Sequence, residues 1–249
     1  MERYEELGLV KVPAGEFLMG SADEDQYAGG SEKPQHTLYL SAFYIGKYPV
    51  TVAQYRSFIQ ESQYKTSDEN STKGIENHPV VNVSWEDAIQ FSQWHGMTLP
   101  SEAQWEKAAR GTDGRIYPWR SKWENRLANT AEYWNSGARG LWSKLRRRSL
   151  GTTTPIGYFS PRGDSPHKCA DMIGNVWEWT STIYKEYPYR LDDGRDDIKA
   201  SGPRVLRGGS FSNLLRSTRC ADRGGYDPYG IYWTYGFRVC VSPIIKSEL

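Results

Sequence analysis

Between residues 200 and 245 this sequence nearly does without lysine, glutamate, glutamine, methionine and tryptophan. Those five types make up 51 of its 249 residues, yet Trp233 alone represents them in that stretch, where average usage would place about nine. Other absences bound the function. There is no run of 18 apolar residues, which excludes a membrane-spanning helix. Met1-Glu2-Arg3-Tyr4-Glu5-Glu6 leads into no apolar segment, so no secretory leader is expected. Only three cysteines occur (Cys169, Cys220, Cys240), an odd number that makes no disulfide framework. A reduced, cytoplasmic protein is the expectation. Neither sign of charge dominates: 31 basic against 30 acidic residues leave +1, which weighs against nucleic acid and anionic membranes as partners. No internal repeat and no linker are visible, so 1–249 reads as one domain.

What the chain does have is rings and glycines: 10 Trp, 17 Tyr and 24 Gly. That mixture suits an irregular backbone pinned by large amphipathic side chains. Val10 to Met19 reads as a strand broken at Pro13-Ala14-Gly15, and His36 to Ile45 as one strand ending at Gly46. Thr51 is a candidate N-cap, with Val52, Tyr55, Phe58 and Ile59 on one helical face. Residues 62–77 are polar and read as a surface loop. Ser84 with Asp87 has capping-box spacing and opens a helix to about Trp94; Ser101 with Gln104 opens another to Arg110. Beyond Gly111 periodicity fades. The basic run Lys144-Leu145-Arg146-Arg147-Arg148 reads as a solvated loop rather than an anion contact.

One segment is distinctive: Arg204-Val205-Leu206-Arg207-Gly208-Gly209-Ser210-Phe211, then Arg219-Cys220-Ala221, Arg223, Pro228 and Gly236-Phe237-Arg238. It resembles the C-terminal signature of the formylglycine-generating-enzyme family. Four further stretches resemble that family in order: Val12 to Gly20, Pro49-Val50-Thr51 with Tyr55, Pro79 to Ala88 with Leu99 to Glu106, and Asp171-Met172-Ile173-Gly174-Asn175-Val176-Trp177-Glu178-Trp179. The resemblance spans nearly the whole chain and implies an α+β, C-type-lectin-like fold with much irregular structure. Trp85, Trp105, Trp177 and Trp179 read as core anchors, and Gly208-Gly209 as a positive-φ turn, since no Walker or dinucleotide pattern surrounds it.

Family enzymes oxidise a substrate cysteine with two cysteines that bind copper, a soft ion that needs thiolates. The resemblance puts the nearer cysteine at Leu215 and the earlier one among Ser212, Asn213 and Leu214. Neither thiol is there, so no copper and no catalysis are expected. Cys220 matches a structural cysteine whose usual partner would fall near Ala109. The histidines (His36, His78, His95, His167) lack metal spacing, and no nucleophile elbow accompanies any serine. Calcium is a separate expectation, implied by the resemblance: Asp171 and Glu178 would offer side-chain oxygens, Gly174 and Val176 carbonyls. Asn129 matches a second such site that the insertion at 136–150 disrupts.

Without chemistry the fold remains a scaffold for loops. Between the framework residues lie Ser212, Asn213, Leu214, Leu215, Arg216, Thr218, Asp222, Tyr226, Asp227, Tyr229, Tyr232, Trp233 and Tyr235, rigid aromatics among small polar groups, as in a paratope. The resemblance extends to variable proteins of diversity-generating retroelements, where adenine-directed mutagenesis of AAC-like codons cannot produce Lys, Glu, Gln, Met or Trp. The gap in 200–245 matches that restriction, Trp233 excepted. The reading is therefore a non-catalytic protein that binds an unknown protein or small ligand on its C-terminal surface. A formylglycine-generating enzyme or related oxidase with a displaced site is the alternative, and a structural or regulatory interaction domain comes third.

Overall fold

A computed structural model describes residues 8–136 and 151–242; the basic run 144–148 lies outside them. Strands β1 (Leu9–Val12) and β2 (Gly15–Met19) are separated by the Pro13-Ala14 break, as the turn residues demand. The stretch expected as one strand from His36 is two: β3 (His36–Leu40) and β4 (Phe43–Gly46). The reason is tertiary. β3 pairs with β2, whereas β4 leaves that ribbon to pair with β1 and, on its other side, with β9 (Cys240–Val241).

Helices α1 (Val52–Ser62), α2 (Trp85–Trp94) and α3 (Glu102–Arg110) start where the capping residues place them. In each a reciprocal pair satisfies backbone groups that the first turn leaves orphaned: Thr51 with Gln54, Ser84 with Asp87, Ser101 with Gln104. The 62–77 stretch includes a 3₁₀ turn at Glu69–Thr72, pinned where Arg56 Nε and Nη2 donate to the Thr72 carbonyl at 3.1 and 2.9 Å. A short helix, α4, follows at Ala131–Asn135.

A second sheet builds the C-terminal half, in the order β7 (Arg223–Tyr226), β6 (Arg204–Arg207), β5 (Trp177–Ile183), β8 (Tyr235–Phe237). β6 is antiparallel to both neighbours, and β8 joins β5 in parallel. Every residue of β5 is buried, the polar Glu178, Thr180 and Thr182 included, so its alternation of Trp177 and Trp179 with polar residues marks no solvated face. Two hydrophobic clusters form the core. One gathers Phe17, Met19, Phe43, Ile45, Trp105 and Cys220; the other gathers Tyr55, Phe91, Trp85, Trp177, Trp179 and Phe237. All four tryptophans expected as anchors are buried. Their indole N–H groups are satisfied in distant segments: Trp85 by the Thr180 carbonyl, Trp105 by Glu178, Trp177 by Asn213, Trp179 by the Val83 carbonyl. Each ring thus contributes apolar burial and a polar staple together.

Candidate functional site

The segment from β6 to β8 is held by buried arginines. Arg207 donates to the carbonyls of Cys220, Ala221 and Asp222 and pairs with Glu106. Arg223 forks onto both oxygens of Glu102 at 2.6 and 2.7 Å. Arg219 meets Glu32 and Asp25, and also the Tyr27 carbonyl. Arg238 forks onto Glu178 and reaches the carbonyls of Gly46 and Ala170. A planar guanidinium with five donors can satisfy irregular backbone and a carboxylate at once. Gly208 and Gly209 have φ of 95° and 72°, and a Cβ on Gly209 would lie 2.3 Å from the Ser217 carbonyl oxygen. Only glycine suits both the conformation and the space.

On this frame the intervening side chains do not behave as one outward set. Tyr229 is 81% exposed, Tyr232 53%, Trp233 47% and Leu214 48%. Arg216 and Asp227 are exposed as well, while Ser212, Asn213, Leu215, Asp222 and Tyr226 are half-buried. Two expected surface residues are core. Tyr235 is 7% exposed and edge-on to Trp179, because it lies on β8 beside β5. Thr218 is fully buried, its hydroxyl turned onto the Leu215 carbonyl at 3.3 Å. Tyr226 leans on Trp177 and Tyr235. Asn213 is structural in part: its Oδ1 accepts from the Trp177 indole and from Ser210 N–H and Oγ. What is left facing outward is a crown of Tyr229, Tyr232, Trp233 and Leu214, together with the charged Arg216 and Asp227.

At the position of the family's nearer cysteine, Leu215 opens a 3₁₀ turn (Leu215–Ser217), and its N–H donates to Glu132 Oε1 at 2.8 Å. The nearest cysteine along the chain, Cys220, lies at the family's structural position and is buried. Cys169, Cys220 and Cys240 are free and buried; burial pushes the Cys169 thiol up to about 11 and that of Cys220 up to about 12, and raises that of Cys240 further. Buried thiols of this kind are inert rather than nucleophilic.

The residues put forward for calcium do not fit a divalent cation. Asp171 and Glu178 do come together, but around a cation the chain supplies itself. Glu178 Oε2 accepts from Arg238 Nε at 2.6 Å and from the Trp105 indole at 2.7 Å, and Oε1 accepts from Arg238 Nη2 at 2.7 Å. Asp171 Oδ2 accepts the Gly157 N–H at 2.6 Å. Burial, with Glu178 adding to it, pushes the Asp171 carboxyl up to about 6. Asn129 is likewise committed, its Oδ1 accepting from the Trp134 indole and its Nδ2 donating to Thr152 and Asn175.

Sequence reading did not single out a cleft of 590 Å³ beside the crown, lined on one side by α2 at Trp85 and Glu86 and on the other by 198–204, with Asp227 and Tyr229 at its mouth. Its α2 wall lies more than a hundred positions from the rest of the lining, and no local spacing links the two. No helix among the described residues is long and apolar enough to cross a membrane.

Residues 2–243 match the sulfatase-modifying factor enzyme 1-like domain. A formylglycine-generating enzyme of Thermomonospora curvata is 29% identical across 95% of this chain and 94% of its own. A Bos taurus protein, inactive C-alpha-formylglycine-generating enzyme 2, is 28% identical across 96% of this chain and 91% of its own. Relatives therefore include both a named enzyme and a named inactive form. Treponema denticola variable protein 1 superposes with a TM-score of 0.67 over 94% of this chain and 95% of that one, at 19% identity. The shared architecture is the α+β, C-type-lectin-like fold.

Proposed function

The chain belongs to the sulfatase-modifying factor enzyme 1-like domain family, and from that premise we propose that it is a non-catalytic member that binds a ligand on its C-terminal surface. One observation carries the reading: within 204–238 the signature arginines form a buried frame, and three of the rings between them face outward. Arg207, Arg219, Arg223 and Arg238 are buried and ion-paired, whereas Tyr229, Tyr232 and Trp233 between them stand in solvent. Rigid rings on a rigid frame are what recognition uses, because little side-chain freedom remains to be lost on binding. The position matched to a copper-binding cysteine carries Leu215, which has no thiolate to offer. The ligand is a protein or small molecule met in the cytoplasm. The near absence of Lys, Glu, Gln, Met and Trp from 200–245 supports diversification of this surface by a retroelement; an adenine-rich template repeat in the neighbouring DNA is the expected companion.

The test is selection of binders from a displayed random-peptide library, followed by affinity for Y229A, Y232A and W233A. Binders should lose affinity on these variants, while stability changes by less than about 0.5 kcal/mol, as at other exposed sites. Binders indifferent to all three substitutions would refute the assignment. Incubation with copper and a Cys-x-Pro-x-Arg peptide should leave the cysteine mass unchanged; an aldehyde product would make the protein an enzyme.

A further inference from the structure

The cleft beside the crown has a chemistry of its own. Its inner wall is built round Arg204, whose guanidinium lies 4.1 Å from the Trp85 ring. The two terminal nitrogens of Arg204 are spent on four carbonyls: Ser181 at 2.6 Å, Asp197 at 3.2 Å, Ile198 at 3.0 Å and Ala200 at 2.6 Å. The 197–200 turn is therefore wrapped about a buried cation and cannot relax without exposing it. The facing wall is the capped first turn of α2, and the Trp85 N–H donates to the Pro228 carbonyl at 3.0 Å, tying that wall to the mouth. At the mouth Asp227 Oδ1 accepts the Tyr229 N–H at 3.0 Å and sets the turn that presents Tyr229. Both walls are pre-organised, so an occupant would meet little ordering cost.

The rim is acidic. Glu86 and Asp227 are exposed, and neither belongs to an ion pair among the described residues. Glu86 accepts one hydrogen bond, from Gln90 at 2.7 Å, and Asp227 Oδ1 accepts the backbone one above. Lys199 supplies the one opposing exposed charge of the lining, and the terminal donors of Arg204 are already committed. The same cleft is lined by the exposed Tyr229 ring and by apolar surface to which Ile198 and Trp85 contribute.

We propose that this cleft takes an arginine or lysine side chain of a protein ligand whose neighbouring residues cover the crown. The methylene stem would lie along Ile198 and Trp85, as such stems do on apolar surface. The charged head would meet Glu86 and Asp227, with the Tyr229 ring offering a cation–π face. The inference rests on the reading of 204–238 as a recognition surface, and supplies its chemical preference. An anion fits less well, since Lys199 alone would receive it.

The experiment is an NMR titration of ¹⁵N-labelled full-length protein with N-acetyl-arginine amide, its neutral isostere N-acetyl-citrulline amide, and inorganic phosphate. The arginine probe should give saturable shifts at the Trp85 indole and residues 225–229 that fade with added salt. Citrulline and phosphate should leave those resonances in place. E86Q with D227N should weaken the arginine effect roughly fivefold or more, and K199A should strengthen it. Retention of the Trp85 and Trp233 indole signals reports that each variant is folded. Equal response to citrulline, a response to phosphate at the same residues, or silence with arginine overturns the proposal. The library binders separate this from the broader reading. Binders that need the crown but carry no basic residue and ignore E86Q/D227N would sink the pocket and leave the crown. An arginine response without crown-dependent binders would do the opposite.

Discussion

Arg207 sits in the core with its charge shared between Glu106 and three carbonyls, and comparable forks hold Arg219, Arg223 and Arg238. Breaking one such pair leaves an uncompensated buried charge, which costs far more than the intact pair contributes. Motif spacing makes these arginines legible, but not their partners: Glu102, Glu106 and Glu178 lie 60 to 121 positions away. Asp222 shows the same environment from the acid side. Burial, with repulsion from Glu32, pushes its carboxyl from an ordinary 3.8 up to about 7, against the pull of Arg219 and Arg207. A folded value above the unfolded one means that ionisation opposes folding. The contribution of Asp222 is thus fully present below about pH 4, is lost as pH rises through about 7, and is flat beyond. D222N should therefore melt close to wild type at pH 4 and above it at pH 8. Thermal midpoints across that range check the sign, and a constant difference would contradict it.

Among the elements, the three capped helices are those whose sequence states its own structure. A hydroxyl at N-cap and a carboxylate or amide at N3 satisfy orphan donors locally, so no distant partner has to be known. Ser101 matters beyond its own helix, because α3 carries Glu102 and Glu106, the counter-charges of Arg223 and Arg207. S101A should cost about 1 kcal/mol, read as a lower thermal midpoint. S101T, which keeps the hydroxyl, should recover most of it. Strands are less legible for a physical reason. β5 is buried on both faces, so the polar residues that alternate with Trp177 and Trp179 do not face water, while the break between β3 and β4 depends on which strand each one pairs with. Tyr235 reads as surface on the same ground: β8 has only three residues, all buried, so no alternation separates a buried face from a solvated one.

For the whole molecule, the donor set around Asp171 and Glu178 is completed by Arg238, Trp105 and Gly157. Exhaustive chelation should consequently leave the melting midpoint unchanged. A fall on chelation, restored by calcium, would mean that an ion shares this centre after all.

By itself the sequence determined the family, the three helix starts, the glycine turn, the four tryptophan anchors and the missing thiols, since each is a statement about residue type or local spacing. Only the tertiary structure decided which of the C-terminal aromatics face water, that Arg238 takes both oxygens of Glu178, and that Glu86 and Asp227 share one cleft. Those outcomes depend on long-range pairing, on β8 lying against β5 and on Pro228 receiving the Trp85 N–H. Side chains brought together across a fold leave no spacing in the chain by which to find them.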